Sequence, residues 1–187
     1  IAGCSFSPDE RSLYFLADKY GTSAGLYEVI LDKGTLIFLG AANALRVVNT
    51  CTDPALVGTL AIYRHDYVQP LKGFAYNWWV LIRPRTGAQI GAIGASDENL
   101  DRFLAVRCGQ GEAPPDPTPK PTLPPLAQLR KACTDVSITL EQTPLLDGTT
   151  LEVIHLKSAG EGAMPVFAED FPALLRQWEC ARGITAG

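Results

Sequence analysis

Cysteines are the residues of this 187-residue chain whose spacing most directly predicts a chemistry. Cys51 and Cys133 each begin a Cys-Thr-Asp triplet, and Cys108 and Cys180 each close a similar segment further along. Four cysteines allow three pairings, of which Cys51–Cys108 with Cys133–Cys180 is the most economical. Each bridge would close a loop of roughly 50 residues and contribute about 4 kcal/mol of stability. The pairing predicts an oxidising compartment. Its alternative is a cytosolic protein with four buried thiols.

The fifth cysteine, Cys4, follows Ile1-Ala2-Gly3. This segment resembles a bacterial lipobox, the end of a lipoprotein signal peptide, in which the cysteine is acylated and becomes the first mature residue. Ser5 in the next position favours sorting to the outer membrane. The resemblance therefore implies a periplasmic lipoprotein that touches the membrane only through its anchor, since no run of 18 apolar residues occurs. The alternative is a chance Gly-Cys pair.

A second motif, Gly21-Thr22-Ser23-Ala24-Gly25, matches the Gly-x-Ser-x-Gly nucleophile elbow of serine esterases. A catalytic triad would also need a histidine and an acid, and His155 with Asp135 or Asp147 could supply them. The elbow requires a helix after the serine, whereas the sequence after Gly25 predicts a strand. We therefore expect Ser23 to lie in an ordinary loop, assign no catalytic residue, and keep a small serine esterase as the last of three hypotheses.

Metal and nucleic-acid binding are not expected. The chain has no Cys-x-x-Cys pair, and His65 and His155 are isolated, so the ligand spacing of a metal site is missing and no cofactor is predicted. The net charge is −4, and no run of Lys or Arg alternates with aromatic residues. Nucleic-acid binding requires a basic surface that neutralises phosphates, which argues against such a partner.

An aromatic strand is the best sequence candidate for a binding surface. Residues 74–83 place Trp78 on one face of a strand and Trp79 with Arg83 on the other. If the second face is exposed, these two residues and nearby Tyr63 and Arg64 would form the aromatic and arginine patch typical of protein interfaces. The alternative is that both faces of this strand are buried.

The elements before this strand allow two interpretations. Ser7-Pro8-Asp9-Glu10 has the cap, proline and acids of a helix start, which favours a helix over residues 7–20. Alternatively, Phe6-Ser7-Pro8-Asp9 forms a turn and resembles the opening of a blade in TolB-type β-propellers. That family usually has glycine at the position that Glu10 occupies in this chain. A β-hairpin is predicted next, from residues 26–31 and 35–39.

Two segments of the chain match each other. Residues 44–53 resemble 128–135, and both segments end in a helix-like stretch that contains a cysteine, which predicts a tandem duplication. The first segment should contain a short helix at 41–49, three strands at 58–64, 74–83 and 88–93, and a helix from Ser96 to Cys108. The second should contain helices at 126–132 and 167–181 and strands at 136–141 and 150–157.

The predicted fold class is α+β, with two related, disulfide-closed α/β-sheet subdomains behind an N-terminal hairpin region. The anchor and hairpin occupy residues 1–40, and the first repeat occupies 41–112. A stiff proline-rich linker follows at 113–125, and the second repeat occupies 126–187.

The function expected from these features is binding without catalysis. Among envelope proteins of this size, a lipobox and disulfides without a catalytic constellation resemble the periplasmic immunity proteins that neutralise effectors of type VI secretion. This resemblance implies a protein partner, a secreted toxin of hydrolase type, whose active site the chain would occlude. The first alternative is a structural or assembly lipoprotein of the envelope.

Overall fold

A computed structural model describes residues 2–19, 23–67, 75–115 and 122–184. They form a mixed α+β protein with mostly antiparallel sheets, few helices and two disulfides. The chain divides into two compact units. The first comprises Ile1–Pro114 with Leu145–Thr149, and the second comprises Pro115–Pro144 with Thr150–Gly187. None of the helices in the described ranges is both long and apolar enough to span a membrane.

The first unit begins with a four-stranded antiparallel sheet, whose strands neighbour one another in chain order. The strands are β1 (Ala2–Phe6), β2 (Ser12–Lys19), β3 (Ser23–Ile30) and β4 (Thr35–Ala41). The hairpin predicted at 26–39 is confirmed as β3 and β4.

The helix predicted over residues 7–20 is wrong, because the described part of this range, residues 7–19, forms a turn and strand β2. Ser12, Tyr14 and Leu16 are buried while the residues between them are not, which is the two-residue period of a strand. Ser7, the residue expected to cap the helix, instead closes the turn with its side chain. The Ser7 hydroxyl donates to Asp9 Oδ1 (2.6 Å) and accepts from the Ser12 amide (2.9 Å).

This turn contains a strained residue. Glu10 has a φ of +56°, in the left-handed region that glycine adopts without steric cost. We expect Glu10→Gly to raise the free energy of unfolding by about 1 kcal/mol, measured by urea denaturation. Glu10→Ala is the matched control, because it removes the charge and keeps the strain. Equal stabilisation by both variants would contradict the conformational explanation.

A second four-stranded antiparallel sheet completes the first unit, again in chain order. Its strands are β5 (Ala44–Val47), β6 (Leu60–Tyr67), β7 (Ala75–Ile82) and β8 (Gln89–Gly94). A short 3-10 helix, Pro54–Leu56, lies between β5 and β6. The helix predicted at 41–49 is wrong, since β5 pairs with β6 from Ala44 opposite Tyr63 to Val47 opposite Leu60. The three strands predicted in this segment are confirmed, with Phe74 outside the described residues.

Helix α1 (Asp97–Cys108) follows the second sheet and confirms the prediction from Ser96 to Cys108. Ser96 and Asn99 form a reciprocal capping box at its start, and Gly109 ends it with a φ of +65°. The helix packs onto the second sheet through a buried cluster that contains Trp79, Leu81, Ile93, Leu100, Phe103 and Leu104.

The second unit contains a three-stranded antiparallel sheet of order β11-β10-β9. Its elements are α2 (Leu126–Ala132), β9 (Val136–Pro144), β10 (Thr150–Ser158), β11 (Met164–Phe167), α3 (Phe171–Leu175) and a 3-10 helix (Glu179–Ala181). Helix α2 and strands β9 and β10 confirm the predictions. The long helix predicted at 167–181 is wrong. Pro172 fits only a first helical turn, so the helix starts at Phe171, and Trp178 has extended backbone angles.

Each unit contains one disulfide. Cys51 is bonded to Cys108 at the end of α1, and Cys133 is bonded to Cys180 in the last 3-10 helix. Cys108 and Cys133 are buried and belong to the cores of their units. Each disulfide therefore joins a less buried cysteine to one that lies in the packed core of the same unit.

Candidate functional site

The first sheet has an apolar face that the described residues leave exposed, here called the outer face. Its pairing places side chains in two rows, each crossing all four strands. One row is Phe6, Leu13, Val29 and Leu36, and the other is Cys4, Phe15, Tyr27 and Phe38. No charged residue occurs in either row.

The two edges of the outer face are the most exposed. Phe6 in β1 is 53% exposed, and Leu36 and Phe38 in β4 are 58% and 55% exposed. Three aromatic rings are in contact across the strands. Phe15 and Tyr27 are stacked with centroids 5.6 Å apart, and Phe38 is tilted against Tyr27 with centroids 5.3 Å apart. Aromatic side chains have few rotatable bonds, so this surface offers apolar contact at a low cost in side-chain entropy.

Gly25 leaves room for two of these rings. A Cβ atom at Gly25 would lie 2.9 Å from Cε2 of Tyr27 and 3.0 Å from Cε2 of Phe38. These distances are too short for a side chain, so both rings use the space that glycine leaves. Gly25 pairs with Ala17 on one side and Ala41 on the other, which continues the uncharged surface with small residues.

The opposite face of the same sheet is buried. Tyr14, Leu16 and Leu26 are at most 4% exposed. A sheet that buries one face in its own core normally carries polar residues on the other. The outer face departs from this rule over all four strands, and contiguous apolar patches of this kind mark interaction sites.

The turns that border the outer face are slightly acidic. Among their described side chains, Asp9, Glu10 and Asp32 are exposed, against Arg11 and Lys33. The balance disfavours the anionic surface of a phospholipid layer, which attracts lysine and arginine. It suits a protein surface with an apolar centre and a basic periphery.

The residues proposed from the sequence as a binding patch lie elsewhere, on the second sheet. Trp79 is 5% exposed and belongs to the core under α1, with its Nε1 donating to Asp97 Oδ1 at 2.9 Å. Tyr63 packs on it with ring centroids 5.4 Å apart. Arg64 is half-buried and donates to Gln89 Oε1 (2.9 Å), and Arg83 is exposed. Tyr63 pairs with Trp79 and Arg64 pairs with Trp78, so Tyr63 and Arg64 lie on opposite faces of the second sheet, and Trp79 contributes to packing.

The hydrogen bond of Trp79 provides a test of its structural role. Trp79→Phe keeps an aromatic ring and removes the donor to Asp97, so we expect a loss of about 2 kcal/mol in the free energy of unfolding. Arg83 is exposed and directly follows the end of β7. Arg83→Ala should therefore change the free energy of unfolding by less than about 0.5 kcal/mol. Both values are obtained from urea denaturation. A larger loss for Arg83→Ala would contradict this assignment.

The residues considered for a catalytic triad have other surroundings. Ser23 begins β3, so the described residues after it are strand, not the helix of a nucleophile elbow. Asp147 is buried and accepts hydrogen bonds from Asn99 Nδ2 (2.6 Å) and from the Thr149 hydroxyl (2.7 Å). In the second unit, His155 Nε2 lies 2.7 Å from Glu141 Oε2, and Asp135 is exposed.

Two further points concern cysteine and metals. Cys4 is a free, exposed thiol on the outer face, opposite Phe15. In the parts of the chain that the structure describes, no group of three or more His, Cys, Asp or Glu side chains could hold a metal ion.

Comparison with known proteins gives no relative to guide the assignment. No protein-family model, curated protein or solved structure matches this chain significantly. The outer face and its chemistry are therefore the basis for a functional proposal.

Proposed function

We propose that this chain is a non-catalytic binding protein of an oxidising compartment, and that a protein partner docks on the outer face of its first sheet. The observation that carries the proposal is the exposure of Phe6, Leu36 and Phe38 on one uncharged face. Covering such side chains removes apolar surface from water, which is the main favourable term in protein association. The disulfides support an extracellular or periplasmic location, where such bonds persist.

The proposed partner has an apolar contact surface framed by basic residues. The slightly acidic turns that border the outer face would then meet charges of opposite sign, which speeds association and excludes acidic competitors. We propose that this partner is a toxic secreted hydrolase, which the chain neutralises by covering its active site as an immunity protein does. Enzymes that act on anionic polymers have basic clefts, and a rigid disulfide-bonded inhibitor loses little conformational entropy on binding.

A second candidate function follows from the position of Cys4. If this thiol is acylated, the lipid lies beside the docking surface. The outer face would then contact the membrane or an outer-membrane component, as in an assembly lipoprotein of the envelope. Acylation would also place the protein in the periplasm, anchored to the outer membrane.

The experiment that separates these functions is a native pull-down from the producing cells, with a Cys4→Ser variant so that no anchor forms and β1 stays intact. One basic partner of hydrolase type, captured at equal stoichiometry and inactive in the complex, supports the inhibitor proposal. Retention of outer-membrane or wall components alone would contradict it and support the envelope function.

The tandem duplication stays a hypothesis based on the sequence. It is supported by the two Cys-Thr-Asp triplets and by one disulfide in each segment. The elements before the triplets differ, because β5 precedes Cys51 whereas α2 precedes Cys133. The sheets differ too, with four strands in the first segment and three in the second.

A further inference from the structure

A second site lies in the first unit, apart from the outer face. A cavity of about 400 Å³ is lined by residues of the β1–β2 turn, the inner face of the first sheet and the loop after β7. This volume is within the range of cavities that hold small molecules. Its walls combine apolar surface from Pro8, Val57 and Pro84 with polar groups from Ser12, Tyr14 and Glu28.

The carboxylate of Glu28 is the unusual feature of this cavity. Its side chain is fully buried, and Oε1 accepts a hydrogen bond from the Ser12 hydroxyl at 2.7 Å. Oε2 is also buried and has no hydrogen-bond partner among the described residues. A buried carboxylate oxygen without a donor costs free energy, so a cavity that contains one is suited to a ligand that brings a donor.

The charges around Glu28 favour a cationic ligand. The nearest positive group, Nε of Arg85, lies 3.9 Å from Glu28 Oε1, beyond hydrogen-bond distance, and the Arg85 side chain is 64% exposed. The Asp9 carboxylate also lines the cavity, and the charge of Arg11 acts on it. Asp9 therefore has a cation of its own, whereas Glu28 Oε2 has no donor among the described residues, and a positively charged donor would satisfy it.

Neighbouring groups define the ligand further. Burial, together with the Glu28 carboxylate, raises the pKa of Tyr14 to about 12, so its hydroxyl remains neutral at physiological pH. The hydroxyl oxygens of Tyr14 and Ser12 are acceptors beside the carboxylate. A primary ammonium group has three donors for such acceptors, and the proline and valine walls suit the methylene groups attached to it.

We propose that this cavity is a binding site for a small primary alkylammonium ion, with Glu28 Oε2 accepting from the ammonium group. Glu28 has no solvent-accessible surface in this conformation, so the ligand reaches it only when Arg85, which competes for the same carboxylate, turns toward solvent. The backbone of Arg85 has a φ of +64°, a strained conformation of the kind found at binding sites.

Isothermal titration calorimetry with n-butylamine at pH 7 tests the proposal. We expect saturable binding to the wild-type protein. No binding is expected for n-butanol, which lacks the charge, or for n-butyltrimethylammonium, which has the charge without N–H donors. Glu28→Gln keeps the side-chain shape and should weaken binding about tenfold or more, because it removes a charge-assisted hydrogen bond.

Arg85→Gln keeps the test valid if Glu28→Gln does not fold, since Arg85 is on an exposed loop. It should bind n-butylamine more tightly than the wild type, because the competing cation is gone. Absence of saturable binding to the wild type, equal affinity of Glu28→Gln, or weaker binding by Arg85→Gln would overturn the proposal.

Discussion

Replacing both Cys133 and Cys180 by serine should lower the free energy of unfolding of the second unit by about 4 kcal/mol. Their sequence separation of 47 residues means that the bond removes many conformations from the unfolded chain. The unit has a small core around Leu129, Ile154 and Phe171, so a loss of this size is a large share of its stability. Urea denaturation followed by tryptophan fluorescence measures it, with Trp178 as the reporter in this unit and Trp78 and Trp79 as reporters in the first.

The matched control for this prediction is Cys4→Ser. Cys4 is the free cysteine and is exposed, so its replacement should leave the transition of the second unit unchanged. A double-serine variant with the stability of the wild type would show that the Cys133–Cys180 bond contributes nothing to this unit. The stabilising role assigned to it would then be wrong.

Leu36→Asp should weaken partner binding about 100-fold, because docking would bury a carboxylate without a partner. Leu36 is 58% exposed, so the change should leave folding of the free protein intact. Val106→Asp is the matched control, since Val106 is 59% exposed but lies on α1. Affinities are measured by calorimetry with the purified partner, and thermal unfolding verifies that each variant is folded.

The opposite result would locate the partner elsewhere. If Leu36→Asp binds as tightly as the wild type, the outer face is not the docking surface. If Val106→Asp loses affinity to the same extent, the partner contacts α1. A loss of affinity that occurs only in Arg64→Ala or Arg83→Ala would place the interface at the patch expected from the sequence.

The sequence predicted elements well where local signals agree. For α1, the cap at Ser96, the acids after it and Gly109 at its end all define the same boundaries. At residues 7–20, local signals conflict. The cap, proline and acids indicate a helix, but the pairing of β2 with β1 and β3 buries Tyr14 and Leu16 on one face, and that burial decides the structure.

The outer face was missed for the same reason. While residues 7–20 are treated as a helix, Leu13 and Phe15 are not aligned with Val29 and Tyr27, and no apolar row exists. The signal that could have revealed it is the alternation of apolar residues in residues 13–15, 27–29 and 36–38. Only the register of the four strands shows that these side chains share one face.

The patch around Trp79 could not be resolved from the sequence either. The pattern of residues 74–83 fits a strand with one exposed face or a strand buried on both. The structure has the second arrangement, a strand buried on both faces, because α1 covers the face that bears Trp79 and Leu81. Which face of a strand a later helix covers depends on tertiary packing, and the strand's own residues do not encode it.

Covalent footprinting of the complex with its partner tests the central proposal most directly. Carbene labelling of the free protein should modify Phe6, Leu36 and Phe38, which are exposed together on the outer face. We expect these residues to lose labelling in the complex, while Val106 keeps it. Unchanged labelling of the outer face, with protection at Tyr63, Arg64 and Arg83 instead, would contradict it.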